Sequence, residues 1–136
     1  MYFSLSRRSG YAIAVVGLLV AAAIATGFVW KSRQQTESLA RAITGGDPSR
    51  APALMRRYGC AGCHTIPGVP GGDGRVGSSL ADLRERVYIA GVATNSPDNL
   101  ARWIVAPQTF SPRTAMPATG ISESEARDIA AYLYAQ

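Results

Sequence analysis

Residues 60–64 read Cys60-Ala61-Gly62-Cys63-His64, a C-x-x-C-H pentapeptide. Two thiols three positions apart at a helix end can each add to a haem vinyl group, and the next residue then points its imidazole at the iron. Ala61 and Gly62 are small enough for the backbone to lie along a porphyrin edge. Two other chemistries use the same residue types. A zinc site needs four ligands. Cys60, Cys63 and His64 are all the cysteine and histidine of the chain, so a second subunit would have to complete it. A thiol–disulfide oxidoreductase uses C-x-x-C on a βαβ frame, and no stretch alternates with period two for long enough to build one.

A haem iron held by one His needs a second axial ligand, commonly a Met, whose thioether raises the reduction potential. With one His in the chain, bis-His ligation within it is impossible. The candidates are Met1, Met55, Met116 and Lys31. Met1 and Lys31 flank a long apolar segment, and Met55 falls on the helix leading into Cys60, where a core role fits it better. Met116 lies in Ser111-Pro112-Arg113-Thr114-Ala115-Met116-Pro117. The prolines leave this loop little entropy to lose, which suits a segment that presents a ligand.

Upstream, Tyr11–Trp30 is a run of 20 residues without a charge. As a helix it would rise about 30 Å, enough to cross a bilayer core. Tyr11 and Trp30 stand where aromatic rings favour the interface. Arg7-Arg8, the apolar stretch and Ala23-Ile24-Ala25 also resemble a cleavable signal, but the stretch exceeds a signal core in length, which favours a retained anchor. Arg7 and Arg8 on one side balance Lys31 and Arg33 on the other, so charge leaves the orientation open. The expected organisation is a stub over 1–10, an anchor over 11–30, a polar linker over 31–47 and a domain over 48–136. The linker can continue the helix to about Ile43 before Gly45-Gly46 stops it.

From Pro48 the chain reads as short helices between Gly/Pro loops. Asp47 or Ser49 can cap a helix running to Tyr58, with a start near Arg50 because Pro52 must fall in its first turn. Residues 66–78 are a Gly- and Pro-rich loop. Ser79-Leu80-Ala81-Asp82 resembles a capping box for a short helix to Arg86. Ser96 caps another helix, with Pro97 first inside it and Pro107 just past its end. Ser122–Glu125 is a capping box for the last helix, where Ala126, Ile129, Ala130 and Leu133 make one apolar stripe. The predicted class is all-α. So few large aliphatics make a thin core, and small domains of that kind usually gain contacts from a bound group.

The 136 residues carry 14 basic and 9 acidic side chains, a net +5. The arginines are dispersed rather than clustered, which gives no basis for a nucleic-acid partner. Nothing in the chain resembles an acid–base pair or nucleophile acting on a small-molecule substrate.

These motifs together resemble the class I cytochrome c family over residues 48–136. They run from a helix into CAGCH, through Ile66-Pro67-Gly68, Gly77-Ser78-Ser79-Leu80 and Trp103-Ile104, to Thr114-Ala115-Met116-Pro117 and Ala131-Tyr132-Leu133. The chain is most similar to small single-haem, membrane-anchored cytochromes that accompany bacterial respiratory oxidases. The resemblance implies one haem c bound covalently at Cys60 and Cys63, with His64 and Met116 on the iron. It implies that the first and last helices cross, packing Leu54, Met55 and Tyr58 on Ile129, Ala130 and Leu133. Trp103 would pack on the haem beside Met116, and Thr114, Arg86 and Tyr88 would contact its propionates. In the family a Gly-Pro usually stands at Gly77-Ser78, and the proline carbonyl accepts a hydrogen bond from the proximal His. Ser78 keeps the carbonyl but not the fixed φ. Haem is attached outside the bacterial cytoplasmic membrane in this family, which would put the domain in the periplasm and residues 1–10 in the cytoplasm.

The expected function is therefore electron transfer without catalysis, between partners such as a quinol-oxidising complex and a terminal oxidase. The competing functions are an anchored thiol–disulfide oxidoreductase, and a haem sensor or peroxidase in which Met116 leaves the iron. The rim residues Arg57, Arg75 and Arg113, with Asp73 the nearby acid, would face an acidic partner.

Overall fold

The computed structural model describes residues 3–136, with side chains from Ser9 onward. Met1 and the side chains of Arg7 and Arg8 lie outside the described residues. The chain divides into two compact units, Met1–Gln35 and Thr36–Gln136. Helix α1 is Phe3–Thr44. In the first unit its apolar side chains are exposed, including Leu18, Leu19, Ile24 and Phe28. Helix α1 is long and apolar enough to cross a membrane, with a mean hydropathy of 2.5 over its most apolar window. A helix apolar on all sides has no polar face to give water, which is the composition of a lipid-facing segment.

The second unit begins at Thr36, within the stretch read as linker. The end of α1 is built into this unit. Thr44 Oγ1 donates to Ala40 O at 2.6 Å and accepts from Gly46 N–H at 3.1 Å, which terminates the helix. A side chain at Gly46 would collide with the Arg127 carbonyl, so only glycine allows the chain to pass this close to the last helix. Arg127 Nη1 donates to Thr44 O at 3.1 Å, and Asp47 N–H donates to Asp128 Oδ1 at 2.7 Å. Asp128 is buried, and Arg50 Nη1 lies 3.1 Å from its Oδ2.

Asp47 caps a 3-10 turn over Pro48–Arg50 by accepting from Ser49 N–H, and α2 follows over Ala51–Arg57. Helix α3 is the single turn Cys60–Cys63. Helix α4 is Pro97–Val105, capped by Ser96, whose hydroxyl accepts from Asn99 N–H. Helix α5 is Glu123–Tyr134, with the Ser122–Glu125 capping box complete in both directions. Helices α2 and α4 both pack on α5. Their apolar stripes form one core in which Ala51, Leu54 and Met55 join Leu100, Ala101, Ile104, Ala126, Ile129, Ala130 and Leu133. The stripe read along α5 is thus its buried face.

Two local readings change. Ser79 does not cap a helix. Its hydroxyl accepts from Ala81 N–H, two residues on, and Asp82 takes a left-handed φ of 52° that breaks the chain before a 3-10 turn at Leu83–Glu85. The side chain spent its acceptor on the nearer amide, the usual competition between Ser turns and helix caps. The domain also contains a small hairpin, β1 (Tyr88–Ile89) and β2 (Ala93–Thr94), paired antiparallel with Tyr88 opposite Thr94. Two residues per strand are too few to register as alternation, and the fold remains mostly helical.

Candidate functional site

Between α2, α4, α5 and the long loops lies a cavity of about 300 Å³. Its lining is mostly apolar, with Met55, Leu80, Leu83, Ile89, Leu100, Trp103, Ile104, Ile129 and Leu133 contributing walls. All nine candidate site residues line it: Cys60, Cys63, His64, Ser78, Arg86, Tyr88, Trp103, Thr114 and Met116. An apolar cavity with a few convergent polar groups is the usual form of a cofactor site.

The proximal wall is built by a loop laid along the attachment turn. Gly77 N–H donates to Cys63 O at 2.7 Å, and Leu80 N–H donates to Thr65 O at 2.8 Å. These two bonds bracket Ser78, whose carbonyl oxygen lies 2.6 Å from His64 Nδ1. A carbonyl only accepts, so Nδ1 is the donor in this contact, and in the neutral ring that arrangement leaves the lone pair on Nε2. A Cβ at Gly77 would lie 2.7 Å from His64 Nδ1, so glycine is what lets the loop seat against the ring. Ser78, which lacks a proline's fixed φ, is thereby held by hydrogen bonds on either side of it. Arg86 Nη2 adds a third brace, donating to Ser79 O at 2.5 Å and Ala81 O at 2.9 Å.

Met116 also lines the cavity, half-buried in the segment after α4. Thr114 Oγ1 accepts from Met116 N–H at 3.3 Å, and Gln108 Nε2 donates to Met116 O at 2.9 Å. Trp103 is buried, with its ring centroid 6.0 Å from that of Phe110 and tilted 60° to it. Cys60 is half-buried, and desolvation pushes its thiol pKa up. Cys63 is exposed. Met55, by contrast, is fully buried within the core cluster while touching the cavity.

Residues 48–135 match the cytochrome c family. The chain belongs to the cytochrome c family. The cytochrome is 37% identical over 82 residues to a cytochrome c oxidase subunit 2 of Alkalihalophilus pseudofirmus, a match that covers 59% of this chain and 23% of that relative. The chain therefore spans about a quarter of the length of this curated relative. No solved structure matches the chain. The family's cofactor is covalently bound haem c. The site fits that group. Two thiols, an imidazole with a free Nε2 and a thioether border one apolar cavity, and Gly77 removes the side chain that would push the imidazole aside.

Sequence reading gave Tyr58 a packing role alone and assigned Gln108 none. Tyr58 lines the cavity and its hydroxyl donates to Glu125 Oε2 at 2.9 Å. Its place beside Leu54 and Met55 on one side of the helix pointed to packing and gave no sign of the Glu125 bond. Nothing local distinguishes Gln108, which is exposed and outside the cavity.

Proposed function

We propose that this chain is a membrane-tethered, single-haem c-type cytochrome carrying electrons in a bacterial respiratory chain, to a terminal oxidase or as one of its subunits. The observation that carries this reading is the convergence of Cys60, Cys63, His64 and Met116 on one apolar cavity. Cys60 and Cys63 would hold the porphyrin covalently, and His64 through Nε2 and Met116 through its sulfur would bind the iron. Haem c contributes a one-electron ferric/ferrous couple. With His64 and Met116 both on the iron, a substrate would find no open position, which suits electron transfer rather than catalysis. Thr114, Arg86 and Tyr88 would contact the propionates, and Trp103, buried in the cavity wall, would keep water from the haem. Dry walls around the iron favour its less charged ferrous state and raise the potential.

The tether is α1. Residues 11–30 cross the inner membrane, residues 1–10 stay in the cytoplasm, and the haem domain stands in the periplasm. Anchoring raises the effective concentration of the carrier near membrane partners. Support for the oxidase as partner is the similarity to an oxidase subunit 2. The thiol–disulfide reading requires a βαβ frame, whereas the sheet among the described residues is the two-stranded hairpin β1–β2.

An absorption spectrum of the purified chain tests the site. A low-spin c-type spectrum with a methionine–iron charge-transfer band is expected, and a high-spin ferric spectrum would replace this reading with an open-site sensor or peroxidase. Acid–acetone must leave the haem on the chain. Fractionation with an alkaline wash tests the tether, and recovery of a chain shortened past Ile24 in the soluble fraction would overturn it.

A further inference from the structure

We infer that Gln108 is the positioning residue that keeps Met116 on the iron. The inference rests on Met116 being the distal ligand, as proposed above. Met116 sits in a segment without regular secondary structure, between the 3-10 turn Pro107–Thr109 and the start of α5. The other hydrogen bonds of that segment are short-range. Ser111 N–H donates to Pro107 O at 3.0 Å, Thr114 N–H to Ser111 O at 3.0 Å, and Met116 N–H to Thr114 Oγ1 at 3.3 Å. Such bonds shape the loop but travel with it if it swings away. Among the described residues no hydrogen bond ties residues 117–120 to anything.

The bond from Gln108 Nε2 to Met116 O, 2.9 Å long, joins residues eight apart and fastens the ligand residue to a fixed element. Its donor end is rigid. Pro107 is fully buried, and Thr109 closes the turn through Oγ1 and N–H, both to Ala106 O. Its acceptor is the backbone of the ligand residue itself, and a carbonyl oxygen only accepts, so Gln108 must present its NH2 group. Gln108 is exposed and does not line the cavity. Its loss therefore leaves the core and the walls of the haem site intact while releasing the loop. A methionine thioether is a weak ligand, so how often it leaves depends on how tightly its backbone is held.

The test uses the full chain with its haem, in the ferric state, titrated with imidazole while the methionine–iron charge-transfer band is followed. Imidazole binds only when Met116 is off, so its apparent affinity reports that population. Gln108→Leu should raise the affinity about two- to tenfold, the range a single net hydrogen bond provides. Gln108→Lys, which restores a donor of similar reach, should return it toward the wild-type value. Both variants should keep the wild-type far-ultraviolet spectrum and their covalent haem. A Gln108→Leu affinity equal to wild type would overturn the inference, as would an equal rise in both variants, which would mark a merely disturbed loop. Failure of the underlying ligand assignment looks different. The unmodified ferric chain would then lack the charge-transfer band, and Met116→Ala would leave its spectrum unchanged.

Discussion

His64 Nδ1 lies 2.6 Å from the carbonyl oxygen of Ser78, and Gly77 is the residue that makes the approach possible. The first prediction follows from that contact. Gly77→Ala places a methyl group 2.7 Å from Nδ1 and must rotate the ring or push the loop away. Overpacking of this kind costs about 1–3 kcal/mol. Loss of the Ser78 bond would also make the imidazole a poorer electron donor to the iron, and the reduction potential should rise. Redox titration beside a thermal melt checks both, and a variant with unchanged potential and midpoint would show that the loop yields freely.

Met116 and Met55 both touch the cavity but differ in burial, and that separates their roles. Met116→Ala should lower the potential and let cyanide or imidazole bind, with modest loss of stability. Met55→Ala should cost about 2–5 kcal/mol of stability, as for a fully buried side chain, and leave the iron's ligands alone. The reverse pattern of ligand binding would transfer the axial role to Met55.

Tyr58 and Glu125 tie the attachment end of α2 to the first turn of α5. The Ser122 hydroxyl and N–H, then the Tyr58 hydroxyl, hold the Glu125 carboxyl below its ordinary pKa. The bond to Glu125 in turn raises the Tyr58 phenol. A carboxylate depressed in the folded state stabilises above its unfolded pKa, and that contribution is lost as pH falls through the folded value. A raised phenol contributes below its unfolded pKa and loses that contribution as pH climbs through the folded one. The melting temperature of the wild type should therefore drop more steeply than that of Glu125→Gln between about pH 5 and pH 2. Parallel curves would remove Glu125 from the acid transition.

Arg113 and Arg75 adjoin the cavity-lining Thr114 and Val76 and have no ion-pair partner among the described residues. Arg57, read with them as a rim residue, is occupied: its Nη1 lies 3.7 Å from Glu125 Oε1, and it stands over the Tyr58 ring at 5.4 Å. An acidic partner oxidase would then be steered by Arg113 and Arg75. Arg113→Glu should slow electron transfer at low salt and flatten its dependence on ionic strength. A rate and salt slope equal to wild type would take Arg113 off the docking face.

What sequence alone could determine was whatever depends on residues close together along the chain. C-x-x-C-H is a local spacing, the caps at Ser96 and Ser122 bond amides three residues on, and the apolar stripe of α5 follows from helical period. The length of the apolar run likewise needs no partner to be read. Tertiary structure decided everything that required two loops to meet. Tyr58 bonds Glu125 across 67 positions, Asp47 reaches Asp128 across 81, and the bonds that seat Ser78 on His64 exist only because residues 77–80 fold back along 63–65. Ser79 looked like a helix cap because its spacing was right, but closure of that same loop gave its oxygen a nearer amide. Local hydrogen bonds can be counted from spacing, whereas the partners of a loop are chosen by the closed chain as a whole.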